Sequence, residues 1–357
     1  MKIAIIGGGP GGLTAALESL KRGYEVTLFE KGFIGDDIRC GECLFDSFGL
    51  LSKPSMDVAT RIDGIIFKIK GEYRRKFKDF ERLWMLDRKK WQLSMAKEAI
   101  ALGLNICEES PVDSKELQVL SKAFDYVIDA SGAPSVTSYK YGFFQEYLNE
   151  CFVGIQHVIQ GDFTKYNKAL KIGFLPETYG YYWIFPKNDN LANVGVGLQI
   201  EEIKKGKDIK TLLHEVLVME NLENLPVEKT VSGILPTKLL GKIVYDNILL
   251  VGEAAGLTSP LHGEGIDLAC ISAQLAVDSI QQGNSVAMEY ESKLRNLVDT
   301  KWQKEKSIAD YWQKISFKEF DNLIHALCTN NKLLFARTTL KSPKLMQSAW
   351  QWLRHKA

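Results

Sequence analysis

The chain has 357 residues, 45% of them hydrophobic, and 45 Lys and Arg stand against 44 Asp and Glu for a formal charge of +1. That length supports two domain-sized cores, and the balanced charge excludes a global bias toward nucleic acid. No stretch offers the roughly 18 consecutive apolar residues of a membrane span, and with a strand pattern that starts at Lys2 no signal peptide is expected. A cytoplasmic chain is expected, its six cysteines being thiols rather than a disulfide framework.

Lys2 to Ile6 is a short apolar run that predicts a buried strand, and Gly7-Gly8-Gly9-Pro10-Gly11-Gly12 follows with G-x-G-x-x-G spacing. Leu13, Ala16, Leu17 and Leu20 recur at helical period, and Val26 to Phe29 predicts a second buried strand ending on Glu30. Gly7 permits the tight turn, Gly9 lets backbone approach a pyrophosphate, and Gly12 lets helix and strand pack closely. The helix start, with Pro10 in its first turn, offers unpaired N–H groups to phosphates. Glu30 stands where a carboxylate accepts from a ribose diol and repels a 2′-phosphate. Strand, turn, helix, strand and acid in one unit predict a bound dinucleotide.

Arg39-Cys40-Gly41-Glu42-Cys43 comes next, and Cys40 and Cys43 form a Cys-x-x-Cys pair. Such a pair is open to three readings: dithiol–disulfide cycling, a zinc half-site, or a cysteine tolerated at the second position. No partner pair with ligand spacing follows, so no metal is expected. Ile65 to Ile69 and Leu83 to Met85 predict short strands around a charged hairpin at Lys70-Gly71-Glu72. Leu86-Asp87-Arg88 leads into a helix, and Asp125 to Asp129 is a strand that turns at Ser131-Gly132. Phe152 to Ile155, Tyr181 to Pro186 and Val194 to Leu198 extend an antiparallel sheet, in which Tyr181, Trp183 and Phe185 share one face. Ile203 to Leu222 is expected to form a helix on its back. Asn247 to Val251 is another buried strand, closed by Gly252-Glu253-Ala254-Ala255-Gly256. Gly263 and Gly265 then let backbone amides reach a flat ring or phosphate before a long amphipathic helix from Ile266. The last helical stretch carries Lys344, Arg354 and Lys356 with Trp350 and Trp352, which fits either a packed helix or one resting on an anionic membrane.

Residues 247–266 resemble the second FAD motif of the p-hydroxybenzoate hydroxylase-like flavoproteins, with Glu253 where Asp is usual. The Cys-Gly-Glu loop, together with Tyr181-Tyr182-Trp183-Ile184-Phe185-Pro186 and Gly195-Val196-Gly197, is similar to the geranylgeranyl reductase family, which has Gly where this chain has Cys43. The resemblance implies an α/β fold: a Rossmann-like FAD-binding domain (1–60, 87–150, 236–290), an interleaved antiparallel-sheet substrate domain (61–86, 151–235), and C-terminal helices (291–357). It implies cofactor contacts at Gly7, Gly9, Pro10, Gly12, Glu30, Lys31, Cys40, Gly41, Arg88, Val112, Gly132, Gly252, Glu253, Gly263, Gly265 and Ile266. Position 92 carries Gln where relatives often have an acid. Cys40 and Cys43 are the expected catalytic pair, and Tyr181, Trp183, Phe185 and His262 the expected substrate contacts, the three aromatics walling the flavin. The implied activity is saturation of carbon–carbon double bonds in an isoprenoid or prenylated lipid, with NAD(P)H or ferredoxin as electron donor. The competing readings are a flavin monooxygenase, a flavin-linked thiol oxidase using Cys40 and Cys43, and a non-enzymatic prenyl carrier.

Overall fold

The computed structural model describes residues 1–78, 80–283 and 285–339. They group into two compact units, the first from Met1–Arg61, Glu81–Val153 and Gly233–Asp299, the second from Ile62–Phe80, Gly154–Ser232 and the chain from Thr300 onward.

The first unit holds a six-stranded sheet in the order 244–245, 248–250, 126–129, 2–6, 25–29, 105–107. The strand Lys2–Ile6 lies at its centre, parallel to Glu25–Phe29 on one side and to Tyr126–Asp129 on the other. Ile3, Ala4, Ile5 and Ile128 are fully buried, which explains why these strands read as unbroken apolar runs rather than as alternations. Strands after Lys2–Ile6 step outward to one side, and the chain then crosses to the other. The order therefore reverses beside the first strand, which in open α/β sheets is the place where ligands bind, outside the carboxyl ends of the strands. The glycine turn and the helix Pro10–Lys21 occupy that end.

A three-stranded antiparallel sheet (Cys43–Phe45, Leu83–Leu86, Ala59–Arg61) belongs to this unit as well. Leu83–Leu86 was expected in the substrate sheet. Instead all four of its side chains are buried and it pairs with the cysteine strand, because Trp84 and Leu86 close a core with Leu44, Ala59 and Ile266.

The second unit is built on most of a seven-stranded sheet ordered 227–236, 151–160, 191–199, 180–188, 169–173, 64–68, 72–76, of which only 151–153 and 233–236 group with the first unit. The strand Gly180–Asn188 runs antiparallel to both neighbours. Tyr182 and Ile184 are fully buried in the core shared with Leu213, Val216 and Leu217 of the helix Ile209–Met219. The single helix expected over 203–222 is two. Ile200–Lys204 and Ile209–Met219 are separated at Gly206, whose φ of +95° breaks the turn, and Asp208 caps the second through Lys210 and Thr211 N–H. Helices Val286–Lys314, Phe317–Thr329 and Lys332–Thr339 follow, with Ser316 and Glu319 forming a capping box. From Thr300 they group with the sheet unit rather than apart from it. The basic segment around Trp350 and Arg354 lies outside the described residues.

Candidate functional site

In the first unit the glycine turn shows which constraints come from the protein itself. Gly7 has φ +100°, and a Cβ there would lie 2.5 Å from the Ala130 carbonyl oxygen. A Cβ on Gly12 would collide with the Gly7 carbonyl, so helix and strand approach too closely for any side chain. Gly9 differs, since a Cβ there would meet nothing within 4 Å. No protein contact demands glycine at position 9. It caps the helix Pro10–Lys21 without a side-chain hydrogen bond, leaving N–H donors and the positive end of the dipole facing open space. Glu30 lies beside that space, accepting from Gly8 N–H (2.7 Å) and Gly32 N–H (3.1 Å). A pyrophosphate and a ribose diol fit this donor and acceptor set.

Arg88 is buried, and the helix it opens is capped by Asp87. Its Nε and Nη2 donate to Gln92 Oε1 (3.0 and 2.6 Å), while Gln92 Nε2 donates to the Gly8 carbonyl at 3.2 Å. The amide that stands where relatives often have an acid thus ties Arg88 to the glycine turn. An amide does so because it both accepts and donates, whereas a carboxylate only accepts.

The cysteine loop closes on the same elements. Glu42 is buried with φ +62°, its carboxylate accepts from Arg88 N–H (3.3 Å), and its own N–H donates to Cys40 Sγ at 3.3 Å. Burial pushes the Cys40 thiol up, with the Arg88 charge pulling the other way; burial and then Glu264 push Cys43 well above the ordinary thiol range. Glu264 is itself held well above the carboxylate range by burial and by Asp267. Asp267, fully buried, accepts from both Ser47 N–H (3.0 Å) and Ser47 Oγ–H (2.6 Å), which ties the cysteine strand to the helix Ile266–Gln282. The two thiols and the one carboxyl of the cluster are therefore all shifted toward their protonated forms relative to exposed groups of the same kind. His262 packs edge-on against Phe45, ring centroids 5.5 Å apart.

Of the other expected cofactor contacts, Gly252 (φ +60°) donates its N–H to Ser272, and Gly132 (φ +86°) would bring a Cβ to 3.9 Å from Glu253. Burial raises the Glu253 carboxyl, opposed by Arg88. Gly263 has φ +69°, and Gly265 precedes Ile266 without a side-chain cap. Lys31 pairs with Asp37 at 3.2 Å, and Val112 packs on the sheet face formed by Ala4, Ile6 and Val127. The sequence reading did not single out Gln92, Glu42, Glu264 or Asp267 as functional. Glu264 carried a signal all the same: it is a lone acid between two glycines, in the loop whose backbone amides are expected to reach the cofactor.

In the second unit, Tyr181, Trp183 and Phe185 lie on one face of their strand, with successive ring centroids 5.9 and 6.2 Å apart. Gly197 and Gly195 are the cross-strand neighbours of Tyr181 and Trp183, and a Cβ on Gly195 would collide with the Trp183 indole. The G-x-G of the sequence is therefore a recess for an indole, whose Nε1–H donates to Gln156 at 2.9 Å. Phe174, Trp312 and Phe320 continue the aromatic run beyond Tyr181.

Residues 165–234 match the geranylgeranyl reductase catalytic domain, and residues 5–35 match the NAD(P)-binding Rossmann-like domain. The chain is 29% identical to a digeranylgeranylglycerophospholipid reductase of Methanopyrus kandleri, covering 85% of this chain and 86% of the relative. It is 28% identical to one of Methanococcus aeolicus, covering 91% and 90%. Among solved structures it is similar to a geranylgeranyl bacteriochlorophyll reductase-like protein from Thermoplasma acidophilum (TM-score 0.80, 21% identity, 98% of each chain). It shares its fold with the flavin-dependent halogenase CmlS (TM-score 0.64, 19% identity, 98% of this chain and 70% of that one). Among the described residues no helix is long and apolar enough to cross a membrane, and no group of His, Cys, Asp and Glu could hold a metal ion.

Proposed function

We propose that this chain, a geranylgeranyl reductase-like FAD-dependent oxidoreductase, saturates carbon–carbon double bonds in the isoprenoid chains of a glycerophospholipid or a related prenylated compound. The observation that carries this reading is the recess of Gly195 and Gly197 behind Trp183, which builds a broad apolar face in the stretch that matches the catalytic domain. A long hydrocarbon offers few hydrogen-bonding groups, and stacked rings supply the contact area it needs.

Gly9, Gly11 and Gly12 at the helix start would hold the pyrophosphate of FAD, Glu30 the adenosine ribose, and Arg88 the flavin side of the cofactor. When bound and reduced, the flavin supplies a hydride. An isolated alkene accepts a hydride poorly, so a proton must reach the other carbon as positive character develops. Cys40 and Glu264 hold protons at Sγ and at the carboxyl oxygen, kept there by burial. Thiols held protonated also disfavour a thiol oxidase, which needs a thiolate at Cys40 or Cys43. NAD(P)H or ferredoxin would reduce the flavin in a transient encounter.

An anaerobic turnover experiment tests the reading. Dithionite-reduced protein mixed with geranylgeranylated glycerophospholipid should reoxidise its flavin and add one hydrogen pair per double bond by product mass. Reoxidation that occurs only on admitting air, with oxygen in the product, would replace the reductase by a monooxygenase.

A further inference from the structure

The second unit holds a polar cavity of about 240 Å³ lined by Ile66, Glu72, Arg74, Lys165, Tyr166 and Lys171. Cross-strand pairing fixes which side of the sheet it occupies. Lys171 pairs with Ile66, Ile66 with Arg74, and Lys171 with Ile184, so all four side chains share the face that packs on the helix Ile209–Met219. Trp183, one residue from Ile184, projects from the opposite face. The cavity and the aromatic face are thus separated by the thickness of the sheet, and the hydrocarbon reading above does not use the cavity.

Two features of its lining point to a ligand. The Tyr166 hydroxyl is buried, the residue being 2% exposed, and has no hydrogen-bond partner. An unmet buried hydroxyl is destabilising, and native structures keep few of them. Burial, reinforced by Glu220 and Glu72, pushes its pKa up, so it remains a proton donor at all physiological pH. The second feature is charge. Lys171 is enclosed by Glu72 (2.8 Å) and Glu220 (2.7 Å), and Tyr182 donates to the other oxygen of Glu220 at 2.6 Å. Those two carboxylates have Lys171 between them, and Arg74 and Lys165 then add two further cations to the lining. Arg74 also holds the cavity rim: its Nη2 donates to the carbonyls of Tyr166 (2.8 Å) and Asn167 (3.1 Å), and Asn167 and Lys168 are consecutive residues with positive φ. Non-glycine residues stay in that conformation only where neighbours hold them there.

We propose that this cavity binds a small phosphate-type anion as its monoanion, received by the Tyr166 O–H, Arg74 and Lys165, as a site separate from the one that reduces the substrate. A phosphate matches the lining because it accepts from a hydroxyl and from two cations at once, and a single negative charge offsets the one positive charge left when Lys171, Arg74 and Lys165 are set against Glu72 and Glu220. The same chemistry is presented by a free phosphate or phosphomonoester and by a phosphomonoester lipid headgroup.

Calorimetric titration of the full-length flavin-loaded protein with inorganic phosphate, against equal ionic strength of chloride, tests this. Saturable binding at one site per chain is expected. Tyr166→Phe keeps the ring and removes only the donor, and it should weaken binding about tenfold or more. Arg74→Gln or Lys165→Gln should weaken it similarly, while the flavin spectrum stays unchanged in all three. A second arm uses vesicles carrying a phosphomonoester lipid in place of phosphate: binding there that is lost in Tyr166→Phe identifies a headgroup as the source, and binding of phosphate alone identifies a free anion. Absence of saturable binding in both arms, or equal affinity in wild type and Tyr166→Phe, overturns the site. Because turnover and flavin content are not the readout, failure here leaves the reductase reading standing, and the anaerobic experiment can fail without affecting this one.

Discussion

The two units build their functional surfaces in opposite ways. The first relies on backbone: Gly7, Gly12 and Gly252 are placed where a Cβ would strain or collide, and buried polar groups such as Asp267 and Gln92 fasten one loop to the next. The second relies on side-chain area, with rings laid along a strand and glycines used only to make room for one of them. A backbone site fails all at once when one atom is added, whereas an area-based face loses function by degrees.

The largest effect is therefore expected at Gly12. Gly12→Ala should cost more than about 3 kcal/mol through forced separation of helix and strand, giving protein that unfolds early and copurifies without flavin. Gly9→Ala sharpens the point, because its Cβ meets no protein atom. The flavin-free form should melt within a degree or two of wild type, while FAD affinity falls about tenfold or more. If both variants melt alike and hold FAD alike, the division between packing glycine and ligand glycine is lost.

This contrast also explains what could be read from the sequence. Backbone sites announce themselves, since glycine at fixed spacing after an apolar run has few other causes; Gly7, Gly9 and Gly12 and the two strands that flank their helix were legible for that reason, whereas the order of strands in the sheet was not. The aromatic alternation at Tyr181, Trp183 and Phe185 was legible by its period, and the G-x-G at 195 and 197 by resemblance, but not its reason, which needs the register pairing Trp183 with Gly195. Leu83–Leu86 was misplaced because a fully apolar four-residue strand carries no mark of which sheet it joins. Gln92, Glu42 and Asp267 were opaque because their roles are contacts between segments far apart in sequence: Glu42 to Arg88, Asp267 to Ser47.

The acid cluster gives the next largest effect. Glu264→Gln and Cys40→Ala should each keep bound flavin and lower anaerobic turnover about 100-fold, the usual contribution of a placed general acid. Cys43→Ala should fall much less. Single-turnover flavin reoxidation measures all three, and a Cys40→Ala protein with wild-type rate would remove that thiol from the chemistry.

On the aromatic face a graded loss is expected. Gly195→Ala drives a methyl into the Trp183 indole and should raise KM for long prenyl substrates about tenfold with little change in kcat. Trp183→Phe should do less, since part of the ring area remains. Steady-state kinetics on prenyl chains of increasing length separate the two, and a penalty independent of chain length would argue that the face does not bind hydrocarbon.

The smallest effect lies in the pH dependence of stability, and it again divides the units. Glu264 and Glu253 have folded pKa values raised above the ordinary 4.5, with burial the main cause in each. The folded chain therefore binds protons that the unfolded chain releases, so their contribution is fully present below the carboxylate range. It is lost as pH rises through the raised values, with a slope of at most about 1.4 kcal/mol per pH unit for each carboxyl. Glu264→Gln deletes its share, and the melting temperature of the flavin-free protein should decline less steeply with pH above about 4.5 than wild type does. Trp183→Phe, which touches no titrating group of this cluster, should reproduce the wild-type slope at a slightly lower melting temperature. Parallel curves for wild type and Glu264→Gln would mean that Glu264 ionises as freely in the folded protein as in the unfolded chain, and its role as the held proton would fall with that result.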